Sequence, residues 1–192
     1  MCRFRSGIIL KNKCVIAQGA DDSHSAMLED LGIKDTAENA MTKFVRAELL
    51  PPDGEWWTNP DTWEVHIDQD ILPEWFETDR EKHIDDFQSA VKDWWETHVL
   101  VDQKIDVLSS GYYRLKRCQV KKLMNDVQVM LGSSTVQVMY NSSTVQVMYD
   151  SSTVQEMYDS STVQRMLDSS TVQEMYNSST VQVMYDSSTV QE

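Results

Sequence analysis

The sequence predicts an α+β head followed by a C-terminal β-solenoid, a β-helix of nine-residue repeats with two repeats per coil. Three observations carry this. Thr-Val-Gln recurs with Thr at 135, 144, 153, 162, 171, 180 and 189, a period of nine without a slip. The last column of the unit holds Asn141, Asp150, Asp159, Asp168, Asn177 and Asp186, residue types that tolerate the positive φ of a solenoid corner. All six tryptophans and all four prolines precede the array, which marks a domain of another kind. The division is drawn as an acidic head over 1–111 and a solenoid over 112–192.

The repeat reads as strand because a helix cannot use it. Nine residues make about 2.5 helical turns, so successive copies would face opposite sides, and Ser-Ser-Thr-Val is poor helix material. Thr, Val and Tyr suit a pleated surface. Val and Met are the inward columns. The column between Gln and Met, with Val138, Val147, Glu156, Arg165, Glu174 and Val183, reads as solvent-facing. One extended repeat spans only ~30 Å of contour, so a coil needs two. Degenerate copies at Asp126–Gly132 and around Cys118 bring the array to eight or nine repeats, hence about four coils. Ladders of Ser, Thr, Gln and Tyr are expected along it. The Gly-Gly-x-Gly-x-Asp pattern of calcium-binding rolls is absent. The array runs to Glu192 without a polar cap. A homodimer through the C-terminal coil, using Val181, Met184, Tyr185 and Val190, is the expected cover for that edge.

In the head, Phe4–Leu10 and Lys13–Ala17 read as strands joined by a tight Lys11-Asn12 turn. Asp22-Ser23-His24 opens a short helix through Leu31, with Gly32 past its end. Lys43–Leu50 and Thr62–Gln69 read as strands flanking Pro51-Pro52-Asp53-Gly54. Thr78 to Glu96 reads as a helix, with Thr78 and Glu81 as a capping box and Ile84, Phe87, Val91, Trp94 and Trp95 on one face.

Charge narrows the function classes. Seventeen basic against 31 acidic side chains give a net charge of −14, which argues against direct nucleic-acid binding, since phosphates call for a basic footprint. No apolar run spans a membrane and no secretory leader is visible. Cys2, Cys14 and Cys118 form neither a disulfide framework nor a zinc pattern, so a reduced, cytoplasmic setting is expected. Fourteen acids and three bases lie between Asp53 and Glu96. Within that segment Asp68, Asp70, Glu74, Glu77, Asp85 and Asp86, with Trp56 and Trp57 as aromatic anchors, form the expected partner-binding surface, a place in the core being the competing and preferred reading of the tryptophan pair. The basic cluster Arg114, Lys116, Arg117, Lys121 and Lys122 is a candidate to ion-pair with the acidic head. His66, Asp68 and Asp70 alternate and, on a strand, would share one face able to hold a divalent cation. That set competes with an ordinary polar edge strand, which is the preferred reading. With no nucleophile, phosphate-loop or metalloprotease motif, the sequence is read as lacking catalytic residues, cofactor and metal.

Cys2-Arg-Phe-Arg-Ser-Gly-Ile-Ile-Leu, Asp22-Ser-His-Ser-Ala-Met-Leu-Glu-Asp-Leu-Gly-Ile, Phe44-Val-Arg-Ala-Glu-Leu and Asp68-Gln-Asp-Ile-Leu-Pro-Glu-Trp-Phe resemble a family of small proteins from bacteriophages and gut bacteria. Its members join such a head to a variable array of short Thr-Val-containing repeats. The family brings no established activity and no functional residues. What the resemblance implies is a phage or mobile-element setting in a bacterial host cell. The leading expectation there is an inhibitor of a host defence nuclease or other nucleic-acid enzyme, of the anti-CRISPR or anti-restriction kind. It would act by protein–protein binding, with acidic surface imitating nucleic acid. The alternatives are a structural adaptor that oligomerises, and a metal-dependent enzyme using His66, Asp68 and Asp70.

Overall fold

The computed structural model describes residues 4–19, 21–109, 111–124 and 126–191. Two compact units emerge, Met1–Thr97 and His98–Glu192.

The first unit is built on a four-stranded antiparallel sheet of order β2-β1-β3-β4, with β1 Arg5–Leu10, β2 Lys13–Ile16, β3 Phe44–Leu50 and β4 Glu64–Ile67. The Lys11-Asn12 turn sets the first hairpin, pairing Leu10 with Lys13. Helix α1, His24–Asp30, begins at Ser23, whose hydroxyl accepts from the Ala26 N–H. Gly32 follows the helix at φ +67, the left-handed conformation that glycine adopts without penalty. Met27 and Leu28 of α1 pack with Ile8, Ala17, Phe44 and Ala40, the last from the short helix α2, Ala37–Ala40. Two further helices follow β4: α3, Glu74–Thr78, and α4, Arg80–His98. In α4 the residues at intervals of four, His83, Phe87 and Val91, are buried with Trp94, the stripe of a helix on a core. The expected capping box is not formed. Thr78 ends α3, and its hydroxyl donates to the Glu74 carbonyl, because Pro73 starts a helical turn earlier than the capping signal does.

Gly7 is where α4 meets the sheet. A Cβ there would lie 2.5 Å from Phe87 Cε2 and 2.9 Å from the Val15 carbonyl oxygen. Gly7→Ala is therefore expected to destabilise the head by about 1–3 kcal/mol, the usual cost of overpacking. A urea titration followed by tryptophan emission measures it, and an unchanged midpoint would refute the close approach.

The second unit is the β-solenoid. Its strands alternate between two six-stranded parallel sheets. One holds β5 Val99–Val101, β7 Tyr112–Lys116, β9 Asp126–Leu131, β11 Thr144–Met148, β13 Thr162–Met166 and β15 Thr180–Met184. The other holds β6 Lys104–Leu108, β8 Gln119–Leu123, β10 Thr135–Met139, β12 Thr153–Met157, β14 Thr171–Met175 and β16 Thr189–Val190. Valine stacks on valine and methionine on methionine in register: Val136, Val154 and Val172 in one sheet, Met130, Met148 and Met166 in the other. All six are wholly buried. Val and Met are three residues apart yet both point inward, so the two residues between them, Gln and its successor, break strict alternation and bend the strand.

The solenoid starts before the repeats are recognisable. Leu100, Leu115 and Met130 occupy one inward column at intervals of 15 residues, and Ile105 pairs with Val120 at the same interval. The 18-residue coil is established only from Met130 to Met148 and Met166. These short first coils place the boundary at 97/98, ahead of the expected 111/112, and bring the count to about five turns, above the expected four. They also correct the alignment around Cys118: Val120, not Cys118, is in the valine column, in register with Val136.

The corners follow the expected column. Asn141, Asp150, Asp159, Asp168, Asn177 and Asp186 have φ between 55 and 60. The preference for Asp has a further cause. The Asp150 carboxylate accepts from the Gly132 N–H at 2.9 Å, Asp159 from Asn141 at 3.1 Å and Asp168 from Asp150 at 3.0 Å, so each carboxylate closes a corner one coil back. In the earliest coils the same conformation is held by Asp102 and Arg117, at φ 55 and 53, joined by a two-pronged ion pair.

Two features depart from expectation. The second serine of the earlier units, Ser134, Ser143, Ser152, Ser161 and Ser170, is buried as the chain re-enters its strand, while Ser179 and Ser188 in the last units are half-buried. The column between Gln and Met is also not uniformly solvent-facing: Arg165, Glu174 and Val183 are exposed, but Val129 and Val147 are buried. Of the expected ladders, tyrosine stacks between Tyr140, Tyr158 and Tyr176, at centroid distances of 5.5 and 4.7 Å. Threonine hydroxyls meet at 3.2 Å between Thr162 and Thr180. No helix among the described residues is long and apolar enough to cross a membrane.

Candidate functional site

The acidic segment of the head lies on its surface. Each of the fourteen carboxylates between Asp53 and Glu96 is solvent-exposed, among them Asp68, Asp70, Glu74, Glu77, Asp85 and Asp86. Its three cations are engaged locally: Arg80 with Glu77, Lys82 with Asp86, and Lys92 with Asp61. The Lys92 contacts hold the Asp61 carboxyl below its ordinary range. Glu74 and Glu77 are on α3, and Asp85 and Asp86 on α4, where they fall away from the buried stripe.

Of the two candidate aromatic anchors, one takes the core role. Trp56 is buried, meeting Trp63 edge-on at 5.3 Å and Trp94 at 6.1 Å, so it belongs to the core rather than to a docking surface. Trp57 is half-buried. Two adjacent tryptophans on one irregular segment differ in burial, which residue type alone does not reveal.

The alternating set His66, Asp68 and Asp70 is not assembled. Strand β4 stops at Ile67. Gln69 then folds back, its side-chain N–H groups donating to the carbonyls of Ala40 at 2.9 Å and Ile71 at 2.7 Å, and this turn separates Asp70 from the strand face. Asp68 instead meets residues distant in sequence. His24, Glu48 and Asp68 each offer a ligand atom, and the three atoms lie within 4.8 Å of one another. His24 Nδ1 is 3.5 Å from Asp68 Oδ2, and His24 Nε2 is 3.2 Å from the Ala47 carbonyl oxygen. Glu48 faces His66 across the β3–β4 pair. Burial pushes the Glu48 carboxyl above its ordinary value, with His24 acting in the opposite sense. In the sequence His24 is only a residue at a helix start, and Glu48 only a residue within the Lys43–Leu50 strand. Only the sheet register joins them.

Neither cysteine among the described residues has an activated thiol. Burial, reinforced by Asp86, pushes Cys14 up to about 11, and burial raises Cys118 as well, the opposite of what a nucleophile needs. Cys2 lies outside the described residues. Of the basic cluster, Arg117 and Lys121 pair with Asp102 and Asp106, on neighbouring turns of the solenoid itself. In the last described coil Met184 is 42% exposed, Tyr185 52% and Val190 39%, with Val181 half-buried. Met166 and Val172, one coil earlier in the same columns, are fully buried.

Comparison of the chain with protein-family models, curated proteins and solved structures finds no match.

Proposed function

We propose that the protein inhibits a nucleic-acid enzyme of a bacterial host by occupying a basic nucleic-acid channel with its acidic head. The observation that carries this reading is the exposure of all fourteen carboxylates between Asp53 and Glu96, set against three cations already ion-paired with their neighbours. A surface of that kind repels nucleic acid and is attracted to proteins that bind it. Glu74, Glu77, Asp85 and Asp86 stand on helices and so present charge on a fixed frame. The phage setting implied by the sequence resemblance supplies a reason for such an inhibitor, and the resemblance alone supports it.

The test is capture of partners from host lysate on the immobilised full chain, eluted in salt steps from about 0.1 to about 0.5 M, across which exposed charges become largely screened. A DNA- or RNA-handling enzyme released by moderate salt is the expected result, and its activity should fall when the protein is added back. The quadruple variant Glu74→Gln, Glu77→Gln, Asp85→Asn, Asp86→Asn should lose that inhibition at least tenfold. Recovery of only the chain itself or of virion proteins, indifferent to salt, would overturn the inhibitor reading in favour of a structural adaptor.

A further inference from the structure

We propose that His24, Glu48 and Asp68 form a binding site for a first-row divalent cation of the Mn²⁺ or Zn²⁺ kind. The argument begins with the imidazole. A carbonyl oxygen can only accept, so the 3.2 Å contact to Ala47 requires the proton on Nε2. Nδ1 then presents its lone pair toward the Asp68 carboxylate at 3.5 Å, with Glu48 also in reach. In the neutral imidazole, three acceptors thus converge on a point that a metal cation can occupy. An imidazole whose far nitrogen donates to a backbone carbonyl is the orientation that metal-binding histidines adopt, since it fixes the tautomer and aims the lone pair.

The spacing agrees. Ligands about 2.1 Å from a zinc-sized ion lie roughly 3.4 Å apart at tetrahedral angles, which the 3.5 Å Nδ1–Oδ2 separation matches. One imidazole with two carboxylates favours Mn²⁺ or Zn²⁺ over Ca²⁺ or Mg²⁺, which prefer oxygen alone. The histidine side chain is 9% exposed while Asp68 is 54% exposed, so the site has a fixed inner ligand and an open side for ion entry and bound water.

A second observation points the same way. Ser6 Oγ is fully buried with no hydrogen-bond partner among the described residues. Ser6 lies directly opposite Glu48 in the β1–β3 register, and directly opposed residues of an antiparallel pair leave the sheet on the same face. The hydroxyl is not bonded to Glu48 in this structure; it stands on the Glu48 face with its donor unused, available to a carboxylate oxygen that turns toward it, the outer-shell support that carboxylate ligands receive in metal sites.

The full chain is titrated with MnCl₂, read by the electron paramagnetic resonance of free Mn²⁺, and with ZnCl₂ by displacement of bound Mn²⁺. One saturable site per chain is expected. Glu48→Gln and Asp68→Asn should each weaken it at least tenfold, the scale on which second-shell losses alone already register. His24→Gln should do the same, and tryptophan emission checks that each variant remains folded. His66→Gln and Asp70→Asn should leave the affinity within about twofold. Absence of a saturable site would show that His24 and Asp68 form only an ion pair and would overturn the proposal. Equal losses in the His66 and Asp70 variants would do so too, by placing the ion on the exposed edge instead.

Discussion

Arg5→Ala is expected to destabilise the head by about 3–5 kcal/mol, the range for removing one partner from a buried ion pair. Arg5 is fully buried at the start of β1. Its Nη1 donates to Asp22 at 2.7 Å, its Nε to the Ala17 carbonyl at 3.0 Å and its Nη2 to the Gly19 carbonyl at 2.8 Å. The guanidinium also lies 4.1 Å from the centre of the Trp94 ring. One side chain thus ties the approach to α1 to the sheet and to α4. Alanine removes these contacts at once and leaves the Asp22 carboxylate buried without its arginine. Arg5→Lys keeps the charge but not the fork, so it should recover only part of the loss. The readout is unusually selective: all six tryptophans lie in residues 1–97 and all seven tyrosines in 98–192. Urea unfolding followed by tryptophan emission therefore reports the head. A loss below about 1 kcal/mol would show that the arginine is not the clasp described.

Val154→Asp is expected to be comparably damaging to the solenoid. Val154 is fully buried and in register with Val136 on one side and Val172 on the other. A carboxylate there meets only apolar neighbours, and burying an unpaired polar or charged group costs several kcal/mol. Because each coil contacts its neighbours in sequence, stability is close to a sum of coil and interface contributions. The damage should be local, releasing β12 and the coils after it while β6 to β9 and the head persist. Loss of part of the 218 nm circular dichroism and new protease cleavage C-terminal to about residue 150, with unchanged tryptophan emission, is the predicted signature. Arg165→Gln, on an exposed position, should shift stability by no more than about 0.5 kcal/mol. Equal effects from both would mean that the valine column is not the core.

The repeats were legible in sequence because a solenoid coil is a local object. Asp150 or Asn177 declares a corner by residue type, and the nine-residue period states where the strands must be. The first coils escaped that reading because they are shorter: Leu100, Leu115 and Met130 keep an apolar column without keeping the length of the loop between. In the head, strands and α1 were legible from hairpin and capping chemistry, but the side-chain meetings were not. His66, Asp68 and Asp70 looked like one face because alternation was extended past the strand's true end. Gln69, reaching back to Ala40 and Ile71, breaks that alternation, and a single sequence gives no sign of a glutamine turning inward. His24, Glu48 and Asp68 come from a helix start, a central strand and a post-strand turn. Only the register of β3 with β4 and the docking of α1 bring them together.

One corner repeats every nine residues while one full coil takes 18, and this difference makes the rod a counter with parity. Each unit gained or lost changes the rise by about 2.4 Å, half of the ~4.8 Å between stacked strands, and sends every later unit to the opposite sheet. Two units restore the original faces one storey higher or lower. The two edges are not equivalent, since Tyr140, Tyr158 and Tyr176 stack along one while Leu167 interrupts the other between Tyr149 and Tyr185. Lineages that differ by an odd number of units would therefore display different edges downstream of the change, and those that differ by an even number would differ in reach alone.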